Sequence, residues 1–197
     1  MGASTHLSVS GVAPNNSASA DSVPAAARVG HVPRAATPAI AALVAAGVPH
    51  EVLHYRHDPR AESFGAEAVA QLASTVGVVA EQILKTLVIA LPSGLGVAVL
   101  PVPSRLSLKA AAAALGTPRA EMADPAAAQR STGYVVGGIS PLGQRRRLPT
   151  VVDASAMGWD RVLCSAGKRG LDVALAPADL VAMTDAVIAD VLSAPAS

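Results

Sequence analysis

Two stretches of this chain hold residues in arrangements that chemistry can use. The first surrounds Lys85, near the start of the apolar run Leu84 to Leu91. On a strand, Lys85 shares a face with Leu87 and Ile89, while Thr86 points the other way. A lysine there either snorkels to water or stays partly desolvated. In the second case its ammonium could polarise a carbonyl or hold a phosphate or ribose oxygen. The second stretch is Gln129 to Gly143, which contains four glycines and one proline. Glycine reaches φ > 0 and lets the backbone approach a ligand closely. The segment is either a tight turn or an array of bare N–H and C=O groups facing something small and polar. Arg145, Arg146 and Arg147 follow it, as a solvated loop or as a salt-sensitive phosphate contact.

No conventional catalytic set is complete. Ser140 lies in Gly138-Ile139-Ser140-Pro141-Leu142, not in a G-x-S-x-G elbow. No G-x-G-x-x-G occurs, and the Gly167-Lys168 pair has Val162 where a phosphate loop needs glycine. His54 and His57 fall on opposite faces of the expected strand Glu51 to His57, so they do not form a metal pair. Cys164 sits in the apolar run Val162-Leu163-Cys164 and is expected to be buried. As the one cysteine, it excludes an internal disulfide and a multi-cysteine zinc site. Asp153 ends a strand and suits a cap. Asp172 either pairs with Arg169 or hydrogen-bonds a ligand. No metal or cofactor is expected. On residues alone, a small-ligand binding module and an enzyme are equally supported.

Elements to position these groups are legible. Residues 1 to 36, rich in Ser, Ala, Gly and Pro, read as a flexible extension, and residues 37 to 197 as one domain. Thr37-Pro38 starts a helix with Ile40, Leu43 and Val44 as its apolar stripe, closed by Gly47. Helices are expected from Phe64 to Ala73, from Ser107 to Leu115, from Asp124-Pro125 to Gln129, and from Ala178 to Leu192. Asp58-Pro59 is expected to turn. Strands are expected at Leu84 to Leu91, Leu95 to Val102, Tyr134 to Val136 and Thr150 to Asp153. A hairpin pairs Arg161 to Ser165 with Leu171 to Leu175. The irregular alternation favours an α/β domain of mixed α+β type, with a mixed sheet and helices packed outside, over a doubly wound parallel sheet. The net charge of +1 and an aromatic content of 2% argue against strong polyanion binding and a base-stacking platform. No apolar run reaches the roughly 18 residues of a spanning helix, and the N-terminus lacks a secretory pattern. A cytoplasmic location is expected.

The segment Glu121 to Thr150 resembles the YbaK/EbsC family of free-standing Cys-tRNA(Pro) deacylases, related to the editing domain of prolyl-tRNA synthetases. Tyr55-Arg-His-Asp-Pro59, Phe64-Gly65, Leu84-Lys85-Thr86-Leu87 and Ser165 to Asp172 agree with it. The likeness covers about residues 38 to 192. It implies a curved, partly barrel-like mixed sheet around a small pocket. Lys85 and the backbone of Gly137, Gly138 and Ile139 are implied as catalytic. Tyr55, Phe64, Thr86, Ser140, Pro141, Ser165 and Asp172 are implied as substrate-binding. Ser63 and Ala166 depart from the family pattern. The family implies a tRNA(Pro) 3′ end as substrate and prolyl-tRNA synthetase as partner. Its mechanism lets the substrate's own thiol attack the ester, which fits a chain without a nucleophile of its own. Editing of Ala-tRNA(Pro), or a non-catalytic module that binds tRNA or a synthetase, are the competing expectations.

Overall fold

The computed structural model describes residues 37–57 and 64–194. The expected extension 1–36, the Asp58-Pro59 turn and Ser63 lie outside them. Helix α1 spans Pro38–Ala45, with the Thr37 side chain accepting from the Ile40 N–H as its N-cap. Strand β1 is Glu51–His54 and α2 is Phe64–Val76. The long hairpin β2 (Leu84–Leu91) and β3 (Gly94–Pro101) follows as expected. Helix α3 (Leu108–Ala114) is capped by Ser107, and α4 (Pro125–Thr132) by Asp124. The short strand β4 (Glu121–Met122) lies between these helices. Then come β5 (Thr150–Asp153), β6 (Val162–Lys168), β7 (Leu171–Leu175), α5 (Pro177–Thr184) and β8 (Val187–Ala189).

The strands form two sheets. One has the order β1-β7-β6 and is antiparallel throughout. The other has the order β4-β2-β3-β5-β8 and is mixed, with β5 parallel to both neighbours. Neither sheet closes on itself, so the barrel-like expectation is not met. A parallel bridge between Ile83 and Leu163 links them.

Period-two alternation sorts the side chains into three apolar clusters. Val97 and Val99 of β3, Val152 of β5, Val162 and Cys164 of β6, and Val173 and Leu175 of β7 pack between the sheets, closed off by α1 and α5. Ala98, Leu100 and Val151 turn to the opposite face, where Ala111 of α3 covers them. Leu53, Leu163 and Ala174 turn to the outer face of the smaller sheet, under Ala68 and Leu72 of α2.

Several expectations are corrected. Val44 is 40% exposed; Ala39, Ile40 and Leu43 form the buried stripe of α1. Strand β1 stops at His54, whereas α2 and α4 run beyond their expected ends. Tyr134 to Val136 is not a strand, because the Tyr134 side chain is drawn into the core and the backbone turns immediately after it. The expected closing helix ends at Thr184. Asp185 takes φ 52, and the β-branched pair Val187-Ile188 then joins β5 as β8. No helix among the described residues is long and apolar enough to cross a membrane.

Candidate functional site

A cavity of about 430 Å³ opens where the start of α2, the outer face of the smaller sheet and the start of β2 meet. It gathers Tyr55, Phe64, Lys85, Thr86, Gly137, Ile139, Ser165 and Asp172, all of which the family resemblance implied as site residues. Five consecutive residues, Leu84 to Val88, border it, so the cavity runs along the strand and both Lys85 and Thr86 reach it.

Asp172 is the electrostatic centre. It lies on β7, the middle strand of its sheet, paired with Leu53 on one side and Ser165 on the other. Its residues on either side, Leu171 and Val173, go to the core between the sheets. Asp172 therefore faces the cavity, only 4% exposed. Burial pushes its carboxyl up to about 7, so acid and base forms coexist near neutrality. Arg169 is not its ion-pair partner. Tyr55 is driven above the usual tyrosine range by burial and then by the Asp172 charge. Its hydroxyl stays protonated.

Lys85 donates to the Val102 carbonyl at 2.9 Å and also to that of Ser104. Burial lowers its pKa. The two carbonyls fix the ammonium and leave one of its three protons for a ligand. The Thr86 hydroxyl is buried and has no hydrogen-bond partner among the described residues. The Ser165 hydroxyl accepts from the Gly167 N–H at 3.3 Å, within the bulge that separates Ser165 from Lys168.

The glycine loop enters the cavity through a single turn. The Gly138 N–H donates to the Val135 carbonyl at 3.0 Å, and Gly137 has φ +85 while Val136 does not leave negative φ. This is a type II turn, which requires a glycine-like third residue. The Phe64 ring lies against Gly137, where a Cβ would sit 2.5 Å from it. Gly137 and Ile139 line the cavity, and their N–H groups make no hydrogen bond among the described residues.

Three expected site residues lie elsewhere. Gly138 has spent its N–H on the turn and is buried against the Lys168-Arg169 backbone. Ser140 is fully buried, its hydroxyl accepting from the Leu142 N–H at 3.2 Å. Pro141 borders a separate cleft of about 220 Å³ with Arg146 and Arg147. Cys164 is 0% exposed, and burial raises its thiol well above its usual range. Asp153 accepts from the N–H groups of Ser155 and Val191, so its role is to cap a turn and tie down the segment after β8. Among the described residues, no group of three or more His, Cys, Asp or Glu could hold a metal ion.

The sequence reading missed one wall of the cavity. Met122, Ala123, Pro125 and Ala128 supply it. Strand β4 pairs only at Ile89 and Ala90, too short a ladder to leave a periodic signal. The Asp124-Pro125 helix start was the available clue.

A family model described as an aminoacyl-tRNA editing domain matches residues 65–183. A relative from Enterococcus faecalis, whose name describes a Cys-tRNA(Pro)/Cys-tRNA(Cys) deacylase, EbsC, is 34% identical over 131 residues, covering 66% of this chain and 78% of its own. A solved structure described as a trans-editing enzyme for prolyl-tRNA synthetase superposes with a TM-score of 0.71 at 27% identity, covering 83% of this chain and 100% of its own. The crystal structure of hypothetical protein APE2540 superposes with a TM-score of 0.66 at 28% identity, covering 77% of this chain and 96% of its own. Sequence and fold together place this chain in the aminoacyl-tRNA editing domain family, a family of deacylases.

Proposed function

We propose that this protein, through its domain from residue 37 onward, edits mischarged Cys-tRNA(Pro) in trans, with the substrate's own thiol as nucleophile. The observation that carries the reading is a cavity with a buried carboxyl near pKa 7 and two available backbone N–H groups, but no activated side-chain nucleophile. Cys164 is sealed in the core. Among the described residues of the cavity wall, Ser165 and Thr86 have no histidine beside them. A cysteinyl ester supplies the missing group.

In this mechanism the Asp172 carboxylate takes the thiol proton, being matched to neutral pH as a general base should be. The thiolate sulfur then attacks the ester carbonyl carbon. The N–H groups of Gly137 and Ile139 hold the developing oxyanion. The bond from carbonyl carbon to ribose oxygen breaks, and the ribose oxygen takes the proton held on Asp172, which returns to the carboxylate. A cyclic thioester leaves the site and is hydrolysed by water to cysteine. Lys85, anchored by two carbonyls, directs its remaining proton to the ester or terminal ribose. Holding both reacting groups in one cavity supplies the rate, since intramolecular placement can be worth about 7–11 kcal/mol.

Selectivity follows from the same chemistry. Proline and cysteine differ too little in size for a pocket to separate them by more than about 1–3 kcal/mol. A thiol requirement separates them absolutely. The names of the relatives support the cysteinyl substrate and the link to prolyl-tRNA synthetase. With a net charge of +1, general tRNA affinity is low, and a complex with the synthetase would supply tRNA selection in the compartment of translation.

The test is deacylation of Cys-tRNA(Pro), Ala-tRNA(Pro) and Pro-tRNA(Pro). Cys-tRNA(Pro) alone is expected to turn over rapidly. Equal turnover of Ala-tRNA(Pro) would refute the thiol-assisted route and favour editing of small aminoacyl groups in general. Binding without any turnover would favour a silent tRNA- or synthetase-binding module.

A further inference from the structure

Arg169 is exposed and sits against the glycine loop. Its Nε and Nη2 both donate to the Val136 carbonyl, at 3.0 and 2.7 Å. Its guanidinium lies 4.6 Å over the Phe64 ring, and that ring abuts Gly137. The carbonyl it grips belongs to the central peptide of the Val135–Gly138 turn. That peptide is trans, so the Gly137 N–H lies in the same plane and points opposite to the Val136 C=O.

Type I and type II turns differ chiefly in the orientation of this one peptide. In the type II form seen here, Val136 offers its oxygen to Arg169 and the Gly137 N–H points the opposite way; Val136 and Gly137 both border the cavity, and the latch takes that N–H as the donor presented to the substrate. Rotating the peptide would put a carbonyl oxygen where the N–H now stands. An acceptor at that place repels a developing oxyanion instead of stabilising it. We propose that Arg169 is a positioning residue that latches this peptide in its donor-inward state. The bidentate charge-assisted grip favours one orientation, and the stack on Phe64 fixes the guanidinium that makes it.

The catalytic consequence rests on the deacylase reading above; the turn orientation does not. Two readouts keep them apart. By NMR, the wild type should show a strong nuclear Overhauser effect between Val136 Hα and Gly137 HN, as a type II turn brings those protons close. Arg169→Ala should weaken it. An unchanged effect in Arg169→Ala would overturn the latch, whatever the activity. In Cys-tRNA(Pro) deacylation, Arg169→Ala should lower kcat by about 10- to 100-fold, up to the loss of one oxyanion donor, with KM within about twofold. Arg169→Lys, which keeps one donor, should recover part of kcat. Gly137→Ala disfavours the type II form by itself, so adding Arg169→Ala to it should cost little more. Full additivity of the two, or a rise in KM with kcat intact, would refute the latch in favour of direct substrate binding by Arg169. Wild-type inactivity on every tRNA would sink the deacylase reading and leave the NMR result to decide the latch.

Discussion

Replacing Asp172 by Asn should stabilise the protein while disabling it, and the stabilisation should depend on pH. Asp172 has its carboxyl raised from the ordinary 3.8 to about 7 by burial. The folded state thus binds its proton more tightly than the unfolded chain does. Between pH 4 and 7 the folded state is the more protonated, so stability falls as pH rises through that window and levels off above it. A change of that size corresponds to at most about 4 kcal/mol, the cost of holding a bare carboxylate in the cavity wall. Asn keeps the shape without the charge. At pH 4 the wild type and Asp172→Asn should unfold at similar denaturant concentrations. At pH 8 the variant should be more stable by an amount approaching that limit, a rise in Tm of about 10 °C for a chain of this size. Urea titrations at the two pH values measure the difference directly. Deacylation should meanwhile fall at least about 100-fold, as for loss of a general base. Wild-type kcat/KM should rise with pH and level off above about 7. A stability difference that is the same at pH 4 and pH 8, or a variant less stable at pH 8, would refute the burial argument.

Other substitutions probe separate parts of the structure. Lys85→Ala should abolish most Cys-tRNA(Pro) turnover in the deacylation assay; unchanged turnover would remove Lys85 from the mechanism. Cys164→Ala should keep full deacylation, and the native protein should resist iodoacetamide because the thiol is inaccessible and its pKa is raised. Gly143→Ala should destabilise by about 3 kcal/mol in denaturant melts. Its φ is +61 and a Cβ there would meet the Pro38 carbonyl oxygen at 2.3 Å, so both backbone strain and overpacking oppose it.

Local signals carried most of the fold. Thr37-Pro38, Ser107 and Asp124-Pro125 each mark a helix start whose cap is made by the residue itself. The β2–β3 hairpin was legible because Pro92-Ser93-Gly94 interrupts two dense apolar runs. Non-local competition produced the misses. Helical periodicity ran on past Thr184, but the free edge of β5 offered Val187 to Ala189 a ladder instead. Tyr134 reads as a strand residue from its neighbours, yet its hydroxyl donates to the Leu142 carbonyl at 2.8 Å and pulls the segment into the core. In the site, family likeness named Tyr55, Phe64, Lys85 and Asp172, and all four border one cavity. It did not reveal which glycine-loop residues face inward. Gly137 and Ile139 border the cavity and Gly138 and Ser140 do not: the Gly138 N–H is spent across the turn, and the Ser140 hydroxyl accepts from the Leu142 N–H.

The cavity is also the unfilled end of an apolar cluster. Ala68 and Ile83 line it, and both belong to the cluster that includes Leu72 and Leu163. Those two leucines are absent from the cavity wall but support it from behind. A methylene added or lost at either would move the wall without altering any group that meets the substrate. Acceptance of larger or smaller aminoacyl groups can therefore drift through substitutions that look like ordinary core variation. Comparisons confined to residues touching the substrate would not register the change.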